Sequence, residues 1–579
     1  MMVIVPPVGR ALALLAALAA TTAAPAQELL VRQVDGDREV LTLRFAPYPG
    51  PSGTGGLGFA FVDAVNQSDE PHAVRLELAS RPWSGNNVDL RRTFGLGPRE
   101  RARFHLPLPE VPNYSCELTV TVDSTRHDEA FQAGSRGPVA LLIAESPTLE
   151  PEVLGLAQAL WPQSRGRTKP VAMTCPLSDA PRDWRLLTAF PLVVVDGHAG
   201  IDGELQDALR RFAHAGGRLL VMAPASLPAG ALRDLAAELD GTGSVRHGFG
   251  VVTAVRSIAA GGARLERELA AAAGSAGIWP LGDAIEDVQR IPGLDQAPVL
   301  AFLTVILAFA IVVGPVNFYL LRRAKRPMLA LVTVPAIGFG TTLLMFAYAV
   351  VHDGFGVRGV ERSWSLLDQV DHEVSVLASR TLFAGLSPGP LALGDDGMLL
   401  APAAFARTDN RSRHRWSYDG DTGLLEGVLP ARTPTALVSA RQGIARERLR
   451  ARRGGDGGLE LLTDGGVEPV GDVLLRDLDG DYWAGRAPRL ARVDAAAAFA
   501  ALQRFRTLAG EFDTVPLPNT IPASPDEVVR AMVADTLAPG CYVTEVARVP
   551  WLPDHGLSPA YAGSHHFVLG RLGREDIDQ

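Results

Sequence analysis

Three spacings of apolar residues divide this chain. Up to residue 137 they alternate with polar ones: Val74, Leu76 and Leu78 fall on one side and Arg75 and Glu77 on the other, with similar runs at 41–45, 58–65, 102–106 and 116–122. A period of two marks half-buried strands, and several of them with turns between predict a β-sandwich over residues 27–137. From 138 to 294 the pattern changes: 139–144 is a continuous apolar run, and the mostly apolar segments 170–174, 192–196 and 218–223 continue the series. Such runs suit strands buried on both faces. Helical spacing separates them: Leu205, Leu209 and Phe212 share one face of a segment that Gly216 and Gly217 end. The result is an open, mostly parallel α/β domain. Residues 298–321 and 328–351 then carry no charge at all. Each would make a helix about 36 Å long, enough to cross a hydrocarbon core of roughly 30 Å. Beyond 359 short strands return (373–378, 415–418, 436–439, 459–462, 473–476), with Asp479 and Gly480 as a hairpin-turn signal. They predict a second β-rich, sandwich-like domain over 359–579, broken by helices that start at Asp494 and at Ser524-Pro525. The fold class is thus a multidomain α+β membrane protein.

The turn at 322–327 joins the two apolar helices and carries Arg322, Arg323, Lys325 and Arg326, whereas the far ends of both helices are almost free of bases. Cytoplasmic loops hold the excess of Lys and Arg, so this turn is expected in the cytoplasm and both large flanking regions outside it. Gly314 and Pro315 predict a kink in the first helix, because proline lacks an N–H and clashes with the preceding turn. Gly338, Gly340, Thr341 and Thr342 give the second helix a small-residue face suited to close helix packing. With no ionisable group inside either span, an anchor is expected rather than a transport path. At the N-terminus, Arg10, the short apolar stretch 11–20 and Ala24-Pro25-Ala26 read as a secretory signal over residues 1–26, in agreement with export of the region beginning at Gln27.

Composition narrows the function classes. A 47% hydrophobic content suits globular units with real cores, and a formal net charge of −9 argues against a nucleic-acid partner. Cys116, Cys175 and Cys541 are odd in number and far apart, with no metal-ligand spacing.

Few residues carry candidate chemistry. Cys175, Asp196 and His198 fall at or just past the carboxyl ends of expected parallel strands, where ligands of such sheets bind. A Cys–His pair there could supply a nucleophile and its base. The glycines from Gly53 to Gly58 fit G-x-G-x-x-G, but a Pro-Gly-Pro loop precedes them and a strand comes after, so no nucleotide site is expected. Trp83, Asn86 and Asn87 sit in a loop that could meet a glycan or partner. Asp477, Asp479 and Asp481 begin like a calcium loop but lack its Gly and Glu, and read as turn residues. His555, His565 and His566 lack finger-type spacing. No cofactor or metal is expected.

The stretch LVVVDGH at 192–198, with HAGGRLLVMAP at 214–224, resembles the class I glutamine amidotransferase-like fold. In that family a Cys on a tight strand-to-helix turn is the nucleophile and a His activates it. Here the turn reads Ala223-Pro224-Ala225-Ser226, without a Cys, so the resemblance implies the scaffold and not its chemistry. The whole order of parts, with VGPVNFYLLRR at 313–323 and a second span, is similar to a broad group of bacterial inner-membrane proteins and implies no particular activity. The expectation is a membrane-anchored periplasmic scaffold or accessory subunit, without catalysis, whose partners are the bilayer and an envelope protein or glycan. The alternative is a membrane-tethered hydrolase or amidotransferase-like enzyme using Cys175 and His198.

Overall fold

The computed structural model describes residues 28–578 except 36–37, 51–55, 81–86, 110–114, 133–138, 162–168, 238–242, 276–290, 293, 295–298, 395–396, 401–412, 420–421, 455–456, 465–466, 511–536 and 554. The expected signal segment, the loop at Trp83 and Asn86, residues 53–55 of the glycine run and the helix expected from Ser524 lie outside the described residues.

The N-terminal region forms two facing sheets. One has the strands Leu29–Asp35, Arg38–Tyr48, Gly58–Asn66 and Arg101–Leu108 in that order. Its inward positions, Leu41, Leu43 and Phe45, meet Val74, Leu76 and Leu78 of the other sheet in a common core. That second sheet is larger than the sequence boundaries allow. Beside Asn87–Leu96 lies the strand Arg413–Asp419, parallel to it from Arg413 opposite Asn87 to Asp419 opposite Thr93, followed by Thr422–Glu426 and Leu391–Leu393. The sandwich therefore does not stop at residue 137. Three strands from beyond the apolar hairpin complete it, and they occupy an edge whose N–H and C=O groups would otherwise be unpaired.

The middle region is a six-stranded sheet. In spatial order its strands are Val171–Cys175, Val139–Ile143, Leu192–Asp196, Arg218–Met222, Gly250–Val255 and Gly243–His247, all parallel except the last. Alternate residues serve different layers. Leu142, Val194 and Leu220 pack with Leu156 of helix Glu150–Leu160 and Leu265 of the Ile258–Ser275 segment. Leu141, Ile143, Val193 and Val195 share the core of helix Gly203–His214 and of the sandwich.

The apolar hairpin comprises the helix Val299–Ile311, a π-helical turn Val312–Val316 around Pro315, the helix Asn317–Arg323, and the helix Ala330–Asp353. Both arms are long and apolar enough to cross a membrane. They are also bare: Phe318, Leu331 and Phe339 are among the most exposed large apolar side chains of the chain. Burial in a protein core is thus not what keeps these helices apolar.

In place of a separate second sandwich, the C-terminal region builds one sheet of 13 strands. Its central strands Val357–Asp368 and Glu373–Ala384 are long and buried on both faces, which lets one sheet serve two cores. The sheet curls until the Gln369 amide, at the end of Val357–Asp368, hydrogen-bonds both backbone groups of Leu449 on the distant strand Arg448–Arg453 (3.0 and 3.1 Å). Helix Ala495–Gly510 starts where expected, with Asp494 Oδ1 accepting from the Ala497 N–H at 2.7 Å.

Candidate functional site at the carboxyl end of the parallel sheet

In open α/β sheets, ligands enter beyond the carboxyl ends of the strands. Here that end carries Cys175, Asp196 and the turn after Met222. Ala223 in this turn has left-handed backbone angles (φ 46°, ψ 55°), unusual for a residue with a Cβ, and leads directly into the short helix Pro224–Ser226. Gly197 sits against it. A Cβ on Gly197 would meet the carbonyl oxygens of Ala223 and Met222 at 2.4 and 2.5 Å, so the 192–198 turn needs a glycine there.

The structure does not bring the Cys and His together. Cys175 is in register with Ile143, which is in register with Val195, so a whole strand separates the two sites. At about 4.8 Å per strand the backbones lie roughly 10 Å apart. His198 turns to solvent, its side chain 68% exposed, and its Nδ1 and N–H both approach Asp196 Oδ1 (3.1 and 3.0 Å). Asp196 is thereby used in closing its own turn. Cys175 is fully buried, with its Sγ 3.5 Å from the Pro176 carbonyl. Burial pushes its thiol well above the usual value, and the Asp179 carboxylate adds to this.

What covers Cys175 is a polar lock that motif reading missed. Asp179, in the turn Leu177–Asp179 just after the cysteine strand, is fully buried. Its carboxylate accepts two hydrogen bonds from the Arg44 guanidinium (3.0 and 2.8 Å), one from the Tyr48 hydroxyl (2.9 Å) and one from Ser178 (2.9 Å). His105 Nε2 meets the Asp179 carbonyl at 2.9 Å. Arg44, Tyr48 and His105 all belong to the four-stranded sheet of the sandwich. The hydrogen bonds from Arg44 to Asp179 raise the guanidinium further above its ordinary value, while burial raises the Tyr48 hydroxyl and lowers His105. The cluster therefore joins Arg44 and Asp179 beside a phenol and an imidazole that burial keeps from charging, and the sandwich stands where a substrate would enter near Cys175.

Close backbone approach seals the same seam. Leu57 N–H donates to Thr188 Oγ1 at 2.9 Å, and Ala189 N–H donates to the Leu57 carbonyl at 3.2 Å. A Cβ on Gly56 would lie 2.3 Å from the Thr188 carbonyl oxygen. Gly56→Ala is accordingly expected to lower stability by about 1–3 kcal/mol, read as a fall in the thermal midpoint of the purified chain. An unchanged midpoint would mean that the seam is loose.

The C-terminal sheet is fastened to the α/β layer as well. Arg210 forms two hydrogen bonds to Glu373 (2.8 and 2.5 Å), His214 Nδ1 lies 2.5 Å from Ser375 Oγ, and Arg185 donates to the carbonyls of Gly394 and Gly397 (2.7 and 3.1 Å).

Two other constellations resolve into structure. Asp477 accepts from the Asp481 N–H (2.8 Å) and from Trp483 Nε1 (2.9 Å), and Gly480 takes φ +94°, so these aspartates build the hairpin turn. The histidines go to separate partners: His555 to Ser439 and the Ala392 carbonyl, His565 to Glu545, His566 to Ser363. Among the described residues no three His, Cys, Asp or Glu side chains gather as a metal site. Ser363, His566 and Glu361 have the residue types of a hydrolytic triad. Ser363 Oγ and Glu361 Oε1, however, both face Nδ1 of His566 (2.8 and 3.7 Å), whereas a triad needs opposite ring nitrogens. Glu361 is instead ion-paired with the equally buried Arg380.

No family model and no curated relative matches the chain. Among solved structures, a cycloisomaltooligosaccharide glucanotransferase from Paenibacillus sp. aligns at 10% identity over 31% of this chain and 27% of that one, with a TM-score of 0.15. A carbohydrate acetylesterase from Xanthomonas citri aligns at 10% identity over 69% of this chain and 97% of that one, with a TM-score of 0.18. At such scores neither likeness bears on fold or chemistry.

Proposed function

We propose that the chain is a membrane-anchored, non-catalytic scaffold or accessory subunit of the bacterial envelope, whose sandwich and sheet surfaces bind a protein or glycan partner. The observation that carries this reading is the Arg44–Tyr48–Asp179 lock over Cys175, which gives the entrance of the α/β sheet to the protein's own sandwich. Ala223 supports it. In an amidotransferase-like scaffold a tight strand-to-helix turn would present the nucleophile, and here a left-handed turn carries a methyl group. In this reading the domain is the degenerate form of that scaffold, kept as the hub between sandwich and C-terminal sheet.

The basic turn favours the cytoplasm, which puts both large regions in the periplasm and the hairpin in the inner membrane. The shared sheet supports this arrangement independently. Residues 87–96 precede the hairpin and residues 413–419 come after it, yet they pair as neighbouring strands, which requires one side of the membrane for both.

Two measurements test the proposal. Crosslinking in native membranes followed by mass spectrometry is expected to recover a constant envelope partner; recovery of the chain alone counts against a scaffold. In the folded protein at neutral pH, Cys175 is expected to resist maleimide over hours and to react within minutes once the chain is denatured. Rapid labelling of the native thiol would favour the enzyme instead.

A further inference from the structure

The hairpin holds a cleft of about 770 Å³ at its basic end, between the π-helical turn of the first arm and the start of the second. Its walls are apolar, with Val313, Pro315, Phe318 and Val334 among them, and its rim carries Arg322 and Lys325. Two features separate it from an ordinary gap between helices. Residues 299–352 contain no Asp or Glu, and among the described residues none of the four bases of the turn is in an ion pair, so the positive charge at the rim is uncompensated. Asn317, which also lines the cleft, is only 8% exposed and places an amide among these apolar walls. An amide at this depth gains from a polar group on whatever fills the cleft.

We propose that this cleft is a binding site for one anionic phospholipid. Its acyl chains lie against the apolar walls, its phosphate meets Arg322 and Lys325, and the Asn317 amide donates to an oxygen at the glycerol or phosphate level. The π turn forms one side of the cleft: Pro315 cannot donate to the helical ladder, and the backbone widens at Val312–Val316. Charge complementarity selects the headgroup, because a zwitterionic lipid would bring a cation to a rim that already has several. The proposal rests on the hairpin crossing a membrane, which is tested first.

The full-length chain is reconstituted in vesicles and extracted with alkali; it should stay with the lipid. The same chain in non-ionic detergent is then titrated with phosphatidylglycerol or phosphatidylcholine and followed by native mass spectrometry. One phosphatidylglycerol should be retained in preference to phosphatidylcholine. The Arg322→Gln/Lys325→Gln pair should weaken that retention about tenfold or more, and Asn317→Ala should weaken it too. Arg323→Gln/Arg326→Gln removes the same charge off the cleft and should cost less than about threefold. Release by alkali would sink the membrane reading and the lipid site together. Firm insertion with equal retention of both lipids, or with equal losses from the two pairs, would overturn the site alone and leave the anchor standing.

Discussion

Asp179→Asn is expected to lower stability by about 3–5 kcal/mol and to loosen the sandwich from the α/β layer. The amide keeps the shape of the carboxylate and removes its charge, so the Arg44 guanidinium keeps at most one, now neutral, acceptor and meets an NH2 donor at the other, in a place where water replaces the lost bond poorly. The Arg44 side chain is 28% exposed, which puts the effect toward the lower end of that range. The partner change, Arg44→Gln, leaves a fully buried carboxylate with only Tyr48 and Ser178 as donors, and should cost at least as much. A double-mutant cycle separates the pair from the rest of the seam. The double variant Arg44→Gln/Asp179→Asn should be more stable than the sum of the single losses predicts, because the only charge left without its partner is that of the half-exposed Glu28. Thermal midpoints give the size. Hydrogen exchange at strand Val171–Cys175 gives the place, since protection there should fall first. Simple additivity, with protection unchanged, would show that the lock does not hold the domains together.

That lock also marks where sequence reasoning stops. The two apolar arms were legible because an uncharged run longer than 20 residues has few other uses. The parallel strands were legible because runs such as 139–144 are apolar at every position, and the sandwich strands because Val74, Leu76 and Leu78 alternate with charge. Asp179 had no such signal. It lies in a polar turn, and its partner Arg44 is 135 positions away on the outward face of a strand, where an arginine is ordinary. Pairing between 87–96 and 413–419 was hidden for the same reason: periodicity shows that a segment is a strand and says nothing of which strand lies beside it. Cys175 and His198 were correctly placed near strand ends, but sharing the carboxyl edge of a sheet leaves open how many strands lie between. Register settled that, with Val139–Ile143 lodged between them.

Acidification should open the second seam, between helix Gly203–His214 and the C-terminal sheet. His214 and His247 stack edge to face with ring centroids 5.0 Å apart. Burial lowers both, and the neighbouring His214 and Arg210 help to bring His247 down to about 4. Glu373, Asp368 and Asp371 pull the other way without prevailing. A histidine with a depressed folded pKa binds fewer protons folded than unfolded, so its neutral form favours the fold at high pH. That advantage is lost as pH falls from the unfolded value near 6.5 toward about 4. Glu373 acts in the same direction at lower pH. Its burial disfavours charge and is the largest single influence, but the hydrogen bonds and charge of Arg210, with His214 and His247 nearby, together outweigh it and hold the carboxyl below its ordinary value, so its contribution is present above about 4.5 and lost as pH falls through the folded value. Wild type should therefore lose on the order of 2–3 kcal/mol between pH 7 and pH 4.5 through this seam. His247→Gln cannot take up the proton and should remove most of that slope while changing stability little at pH 7. Urea midpoints of both proteins at the two pH values measure it, with hydrogen exchange on strand Glu373–Ala384 locating the opening. Parallel pH profiles for wild type and His247→Gln would show that the histidine pair does not govern the seam.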